Sequence, residues 1–353
     1  MTTLRDDIAR SDAPTRARSV DDLLSGSRNT VEPVLRSEVE ALPTAMARIA
    51  GYHLGWWDQH GSATTTGSGK AFRPALTLLC AGAVGAEPET GARAAAAIEL
   101  VHNFSLLHDD VMDADLTRRH RPAAWTVFGR SPAILAGDAL LARAPDVLAR
   151  TGHPRAGDGI RMVNTAVLDL VDGQHADLDF EQRADVTVPE CLTMAGSKTA
   201  ALLGCACALG ALFGDGHAHQ VGHLRTFGQQ LGLAFQHVDD LLGIWSDPEV
   251  TGKPNRSDLR ARKKTLPVVR ALTSGTAEGA ELAELYHRER PLSAAEADRA
   301  AELVDGAGGR SWSRDEADEL FAGALRDLRA SNPAPTAAAE LEQLARGAID
   351  RDF

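Results

Sequence analysis

From Asn29 to the C-terminus, apolar residues return every three or four positions, and no stretch of useful length alternates apolar with polar residues. A period near 3.6 rather than 2 restricts the chain to packed helices. The pattern runs through Val34 to Ile49, Pro74 to Val84, Ala94 to Leu107, Pro132 to Leu148, Ile160 to Leu178 and Val188 to Phe213, and several helices follow. Alanine and leucine are abundant and aromatic residues make up only 5%, a composition that favours helix over strand. Pro74 stands where a helix starts, Gly85, Gly152 and Gly214 where helices stop, and Gly306 to Gly309 breaks two C-terminal helices. With no fixed-period repeat and no second composition, residues 29–353 read as one all-α domain. Residues 1–28, polar and charged with little periodicity, read as a flexible tail.

The formal net charge of -12 excludes the clustered positive charge of a nucleic-acid binder. The longest uncharged stretch, Thr199 to Gly214, falls short of the roughly 20 residues of a membrane span and reads as a buried helix. Arg5, Asp6 and Asp7 stand where a secretory signal needs an apolar core, so a cytoplasmic protein is expected. Cys80, Cys191, Cys205 and Cys207 have no zinc-type spacing and read as buried reduced thiols. Among 37 basic residues, lysine occurs only at Lys70, Lys198, Lys253, Lys263 and Lys264. Where a chain otherwise uses arginine, a compact and movable point charge suits phosphate oxygens.

Two apolar segments end on aspartate pairs: Leu107-His108-Asp109-Asp110-Val111-Met112-Asp113 and His237-Val238-Asp239-Asp240-Leu241-Leu242. On a helix, Asp109 and Asp113 lie one turn apart on one face and can share a hard cation. One such cluster is most simply a solvated helix face or a cap. Two clusters interrupting apolar helices are costly unless a metal neutralises them. Arg118 and Arg119 follow the first, Lys253 and Lys263 the second, so a metal-bridged diphosphate can be gripped from both sides.

These residues resemble the trans-type, head-to-tail prenyl diphosphate synthases over nearly the whole chain after residue 30. Asp109 to Asp113, followed by Arg118-Arg119, is similar to the family's first aspartate-rich motif, and Phe235-Gln236-His237-Val238-Asp239-Asp240 to the start of the second. Gly69-Lys70-Ala71-Phe72-Arg73-Pro74 resembles an element that binds isopentenyl diphosphate, and His102 matches another ligand of that substrate. Gly173-Gln174 with Asp177-Leu178, the Lys198-Thr199 pair, and Gly252-Lys253 through Asp258 to Lys263 match further family elements. Two departures stand out. Gly243 replaces the third acid of the second motif, for which Asp247 compensates only loosely, and Ala71 replaces an arginine.

The resemblance implies an isoprenoid-synthase-type helical bundle around a deep central pocket, a homodimer, and condensation of isopentenyl diphosphate with an allylic diphosphate. It implies up to three magnesium ions on Asp109, Asp110, Asp113, Asp239 and Asp240, with Arg118, Lys198, Thr199, Gln236, Lys253 and Lys263 around the allylic diphosphate. Lys70, Arg73, His102 and Arg119 would hold isopentenyl diphosphate. Val101, Phe104 and Ser105, below Asp109 on its helix, would set chain length; an aromatic residue at 104 suggests a C20 product, with C15 as competitor. Two other readings remain: a class I terpene cyclase on the same fold, whose usual second motif is missing here, and a non-catalytic partner or cargo subunit docked through the tail. A P-loop reading of Gly67-Ser68-Gly69-Lys70 fails, because Ala71 lacks the hydroxyl that magnesium needs.

Overall fold

The computed structural model of the protein describes residues 18–64, 69–245, 256–288 and 290–350. In chain order its helices are α1 (Val20–Glu40), α2 (Thr44–His53), α3 (Phe72–Ala83), α4 (Ala92–Met112), α5 (Ala124–Phe128), α6 (Arg130–Ala149), α7 (Ala156–Gln182), α8 (Val188–Ala195), α9 (Ala201–Phe213) and α10 (Ala218–Trp245). There follow α11 (Ser257–Arg260), α12 (Leu266–Leu272), α13 (Ala277–Tyr286), α14 (Ala294–Gly306), α15 (Gly309–Ala330) and α16 (Pro335–Ile349).

The body of the protein begins earlier than the apolar period announces. Ser19 and Asp22 form a capping box, with the Ser19 hydroxyl accepting from Asp22 N at 3.1 Å, and this starts α1 at Val20 rather than near Asn29. Leu23 and Ser27 face inward on that added turn, and the Arg18 guanidinium meets Glu340 of α16 at 2.8 Å. Ser27 hides the period: it sits on the buried stripe of Leu23, Val31 and Leu35 but satisfies itself by donating to Leu23 O at 2.7 Å. The boundary of the tail at residue 28 is therefore corrected to residue 17 or earlier; residues 1–17 lie outside the described residues.

The pillar of the core is α9, in which every residue from Leu202 to Phe213 is buried. Around it pack α3, α4, α7 and α10. The segment Val188–Phe213 has the length and hydropathy of a membrane span, but 72% of its apolar window is buried inside the fold. Within it, Gly196–Ala200 forms a π-helical turn that joins α8 to α9 without a break in the helix. All four cysteines are free and buried.

Where α1 meets α6, the Glu38 carboxylate, only 4% exposed, accepts from Arg143 Nε at 2.8 Å and Arg150 Nη2 at 2.5 Å. Asp146 bonds both guanidiniums from the solvent side, each at 3.0 Å. Glu38→Ala leaves two facing guanidiniums without their inner partner, at a cost of about 1.5–3 kcal/mol. Asp146→Ala, at an exposed site, costs under about 1 kcal/mol. Urea melts of the two variants should separate in that order; equal midpoints would rule out the bridge as a stabilising contact.

The single described sheet is a two-stranded ribbon, β1 (Thr117–Arg118) with β2 (Arg121–Pro122), turned by Arg119 and His120 at φ 53° and 60°. Two residues per strand are too few to show alternation in sequence. Left-handed backbone at two non-glycine residues is strained, and such strain concentrates at functional sites.

Candidate functional site

The last turn of α4 carries Asp109 and Asp110, and Asp113 is its C-cap. Burial pushes the Asp109 carboxyl up to about 6, with Lys198 pulling against it and Asp113 adding to the rise. The unpaired carbonyls of a helix C-terminus add further negative potential there. Asp110 points into the fold at 1% exposure and accepts from Arg118 Nε at 2.8 Å and Nη2 at 2.5 Å. Asp110, expected as a metal ligand, is here buried and anchors Arg118.

The second aspartate pair divides in the same way. Asp239 is exposed on α10, whereas Asp240 is 6% exposed and pushed up to about 8 by burial. The two oxygens of Asp240 accept from Gln236 Nε2 at 2.7 Å and from Leu266 N at 2.8 Å, so it clasps the start of α12 to α10. Expected as a metal ligand, it is here engaged by these two donors. Thr199 extends the clasp by donating to Gln236 Oε1 at 2.7 Å, which joins the π-helical turn to α10. Thr199 and Gln236 are therefore bonded to each other.

Lys198 stands in that π-helical turn and pairs with Asp177 of α7 at 2.5 Å. The approach is close because Gly173 has no side chain: a Cβ there would lie 2.4 Å from Lys198 N and 2.8 Å from its Cα. Burial works against the charge of Lys263, yet Asp177, Asp258, Asp113 and Asp115 together hold its ammonium above the ordinary range. Carboxylates from α4, α7 and α11 thus surround two lysines. Lys264, by contrast, donates to Phe180 O at 2.6 Å and is structural. Lys253 and Asp247 lie outside the described residues.

A second basic group lies beside the first. Arg73 Nη1 meets His102 Nε2 at 3.2 Å. A guanidinium only donates, so Nε2 accepts and the imidazole is neutral with its proton on Nδ1. Burial, then Arg73 and Arg119, holds the His102 ring well below the usual histidine range, in agreement. Arg119 Nη2 reaches Asn103 Oδ1 at 3.3 Å and Nη1 reaches His53 O at 3.4 Å. Arg73 Nε is buried without a partner among the described residues. Burial, opposed by Glu99, holds both guanidiniums below their ordinary range, a state that an anion would relieve. Lys70 is exposed at the rim, preceding Ala71 at φ 54°.

Below Asp109 on α4, Val101 and Ser105 follow at four-residue spacing and are buried, with Ser105 Oγ donating to His102 O at 2.9 Å. Phe104 is buried too, but its ring stands edge-on to His108 with centroids 4.8 Å apart. His108 Nε2 in turn lies 3.0 Å from Ile134 O, so Phe104 leans toward α6.

The donors fit magnesium. They are carboxylates, which suit a hard cation, and no three metal-binding side chains converge among the described residues. Magnesium usually takes one or two protein carboxylates and completes its shell with water and phosphate oxygens. Sequence reasoning left Asp177 and Asp258 without roles although it quoted both; their signal was their place in family elements, not any local pattern.

Residues 55–304 match the family model described as polyprenyl synthetase. The geranylgeranyl diphosphate synthase of Mycobacterium tuberculosis is 47% identical over 307 residues, covering 87% of this chain and 88% of that protein. The (2E,6E)-farnesyl diphosphate synthase of Mycobacterium bovis is 42% identical over 332 residues, covering 93% and 92%. Among solved structures, a polyprenyl synthetase from Streptomyces coelicolor superposes with a TM-score of 0.90 at 45% identity, covering 94% of this chain and all of that one.

Proposed function

Because the chain belongs to the polyprenyl synthetase family, it is a transferase that builds short-chain prenyl diphosphates, and we propose that its two adjoining groups divide the substrates between them. The acidic group takes the allylic diphosphate: Asp109, Asp113 and Asp239 would hold magnesium. The ion's chemistry there is neutralisation of the charge that develops as pyrophosphate departs. Lys198 and Lys263 face the same departing group, and Arg118 stiffens the wall through Asp110. No protein nucleophile is required, so stabilisation of the leaving group is the main catalytic effect.

The basic group takes isopentenyl diphosphate on Lys70, Arg73, His102 and Arg119. Its hold turns the double bond toward the allylic carbon and converts an encounter into a near-attack geometry. Carbon–carbon bond formation leaves a cation that loses a proton; pyrophosphate is the base within reach. The observation that carries this reading is the pair of half-buried guanidiniums, Arg73 and Arg119, one with a buried and unpartnered Nε among the described residues, beside a carboxylate-lined wall. A terpene cyclase has no use for that second anion site.

The product is C20. Phe104 supports it, as does the 47% identity to a geranylgeranyl diphosphate synthase against 42% to a farnesyl diphosphate synthase. The enzyme works as a homodimer in the cytoplasm; the large apolar side chains exposed on α6 and α7, Ile134, Leu135, Leu168 and Val171, support a partner surface.

Incubation with magnesium, isopentenyl diphosphate and dimethylallyl, geranyl or farnesyl diphosphate, followed by mass analysis, should give a C20 diphosphate. Phe104→Ala should shift product beyond C20 by at least one C5 unit. A cyclic hydrocarbon formed without isopentenyl consumption would falsify the synthase reading; unchanged length in the variant would remove Phe104 as the floor.

A further inference from the structure

The hairpin that carries Arg118 and Arg119 is too short to hold itself. Its ladder is two residue pairs, Thr117 with Pro122 and Arg118 with Arg121, closed by Arg119 and His120 at φ 53° and 60°. A two-residue turn with both central residues left-handed is usually built from asparagine and glycine, which adopt that backbone cheaply. Arginine and histidine do not, and such residues persist only where the surroundings over-determine them. An isolated pair of such short strands cannot supply that constraint.

The end of α2 and the residues after it do supply it. Arg121 Nη1 donates to Tyr52 O at 3.2 Å and Nη2 to Trp57 O at 3.0 Å. The same guanidinium lies over the Tyr52 ring, 4.3 Å from its centroid, a placement that adds cation–π attraction. Tyr52 answers with its hydroxyl, which donates to Pro122 O at 2.9 Å. The clasp is therefore reciprocal, and it closes on the strand from which the strained turn projects.

The platform under the clasp is itself fixed. Trp57 Nε1 donates to Arg48 O at 2.8 Å, and its ring lies so close over Gly51 that any Cβ there would collide with it. The Tyr52 ring stands edge-on to Phe128 with centroids 5.2 Å apart. Arg119 rests on the same turn of α2, its Nη1 reaching His53 O at 3.4 Å, one residue on from the carbonyl that Arg121 holds. The described contacts of Arg121 are two carbonyls and a ring, with no carboxylate among them. An arginine kept only as surface charge has no need of that geometry.

We propose that Arg121 and Tyr52 are positioning residues: by clasping the ribbon to the end of α2 they hold the left-handed turn and so aim the Arg119 guanidinium at isopentenyl diphosphate. The inference rests on the proposed function, which gives Arg119 that substrate, and deepens it by naming what aligns the arginine.

Calorimetric titration of isopentenyl diphosphate into the protein, with no allylic substrate present, reads the effect apart from turnover. Arg121→Ala should weaken binding about 10-fold or more, as loss of a hydrogen bond to a charged group does. Tyr52→Phe keeps the ring and removes only the bond to Pro122 O; it should weaken binding by about 2- to 10-fold with the melting temperature nearly unchanged. A cycle with Arg119→Ala decides the mechanism. Because Arg121 acts through Arg119, the double variant should bind no worse than Arg119→Ala alone, within about 2-fold. His120→Gly relieves the strain at one turn residue and should recover part of the affinity lost in Arg121→Ala. A merely structural role would give additive losses and no recovery. Should Arg121→Ala fail to fold, the same cycle run with Tyr52→Phe carries the test. Unchanged binding in Arg121→Ala and Tyr52→Phe, or additive losses in the cycle, overturns this inference and leaves the proposed function standing. Unchanged binding in Arg119→Ala overturns the division of the substrates and this inference with it.

Discussion

Asp109→Ala folds as well as the unmodified protein and loses condensation by a factor of about 10²–10³, the scale for removing one element of preorganised charge stabilisation. Both halves follow from one observation. Asp109 sits partly buried beside Asp113, with its carboxyl pushed up to about 6, so the metal-free fold gains nothing from keeping it ionised. Alanine in a helix interior relieves that burden and suits the helix. A thermal melt in EDTA should therefore show an unchanged or higher midpoint, and single-turnover kinetics with magnesium should show the loss in the chemical step. A variant that retains wild-type turnover would remove Asp109 from the reaction; one that fails to fold would show the carboxylate to be structural.

Gly173→Ala should damage stability and rate together. The added methyl would lie 2.4 Å from Lys198 N and 2.9 Å from its Cβ, so α7 and the π-helical turn must separate. Overpacking of this kind costs about 1–3 kcal/mol. Separation also lengthens the contact between Lys198 and Asp177, and a displacement of about 1 Å at a reacting centre is enough for a rate loss approaching 10²-fold. Gly196→Ala is the internal control, since nothing lies within 4 Å of a Cβ at that position. Melting curves and kcat for the pair should diverge sharply. Similar behaviour of the two would mean that the close approach is not a constraint.

The helical layers were legible because burial on one face imposes a period that composition cannot hide. The stretch read as Pro132 to Leu148 forms Arg130–Ala149, and Ile160 to Leu178 forms Ala156–Gln182. What escaped was set by hydrogen bonding rather than apolar spacing: the capping box that starts α1, the π-helical turn inside Val188 to Phe213, and the ribbon at 117–122. The site was legible to the same depth. Residue types and order announced two acidic groups and a basic one, but Asp109 and Asp110 are the same letter in a row. Only the packing of α4 and α10 decides that one aspartate of each pair faces outward while the next binds Arg118 or Leu266 N.

The ribbon at 117–122 sends two neighbouring arginines to different partners, Arg118 to Asp110 in the acidic wall and Arg119 to Asn103 beside the basic group. On the proposed division of the substrates, the two reactants would be held apart by neighbouring residues of one hairpin. Reach and alignment would then be written in different places: the α4 positions Val101, Phe104 and Ser105 would govern how long a chain can grow, while a hairpin would govern how its two halves meet.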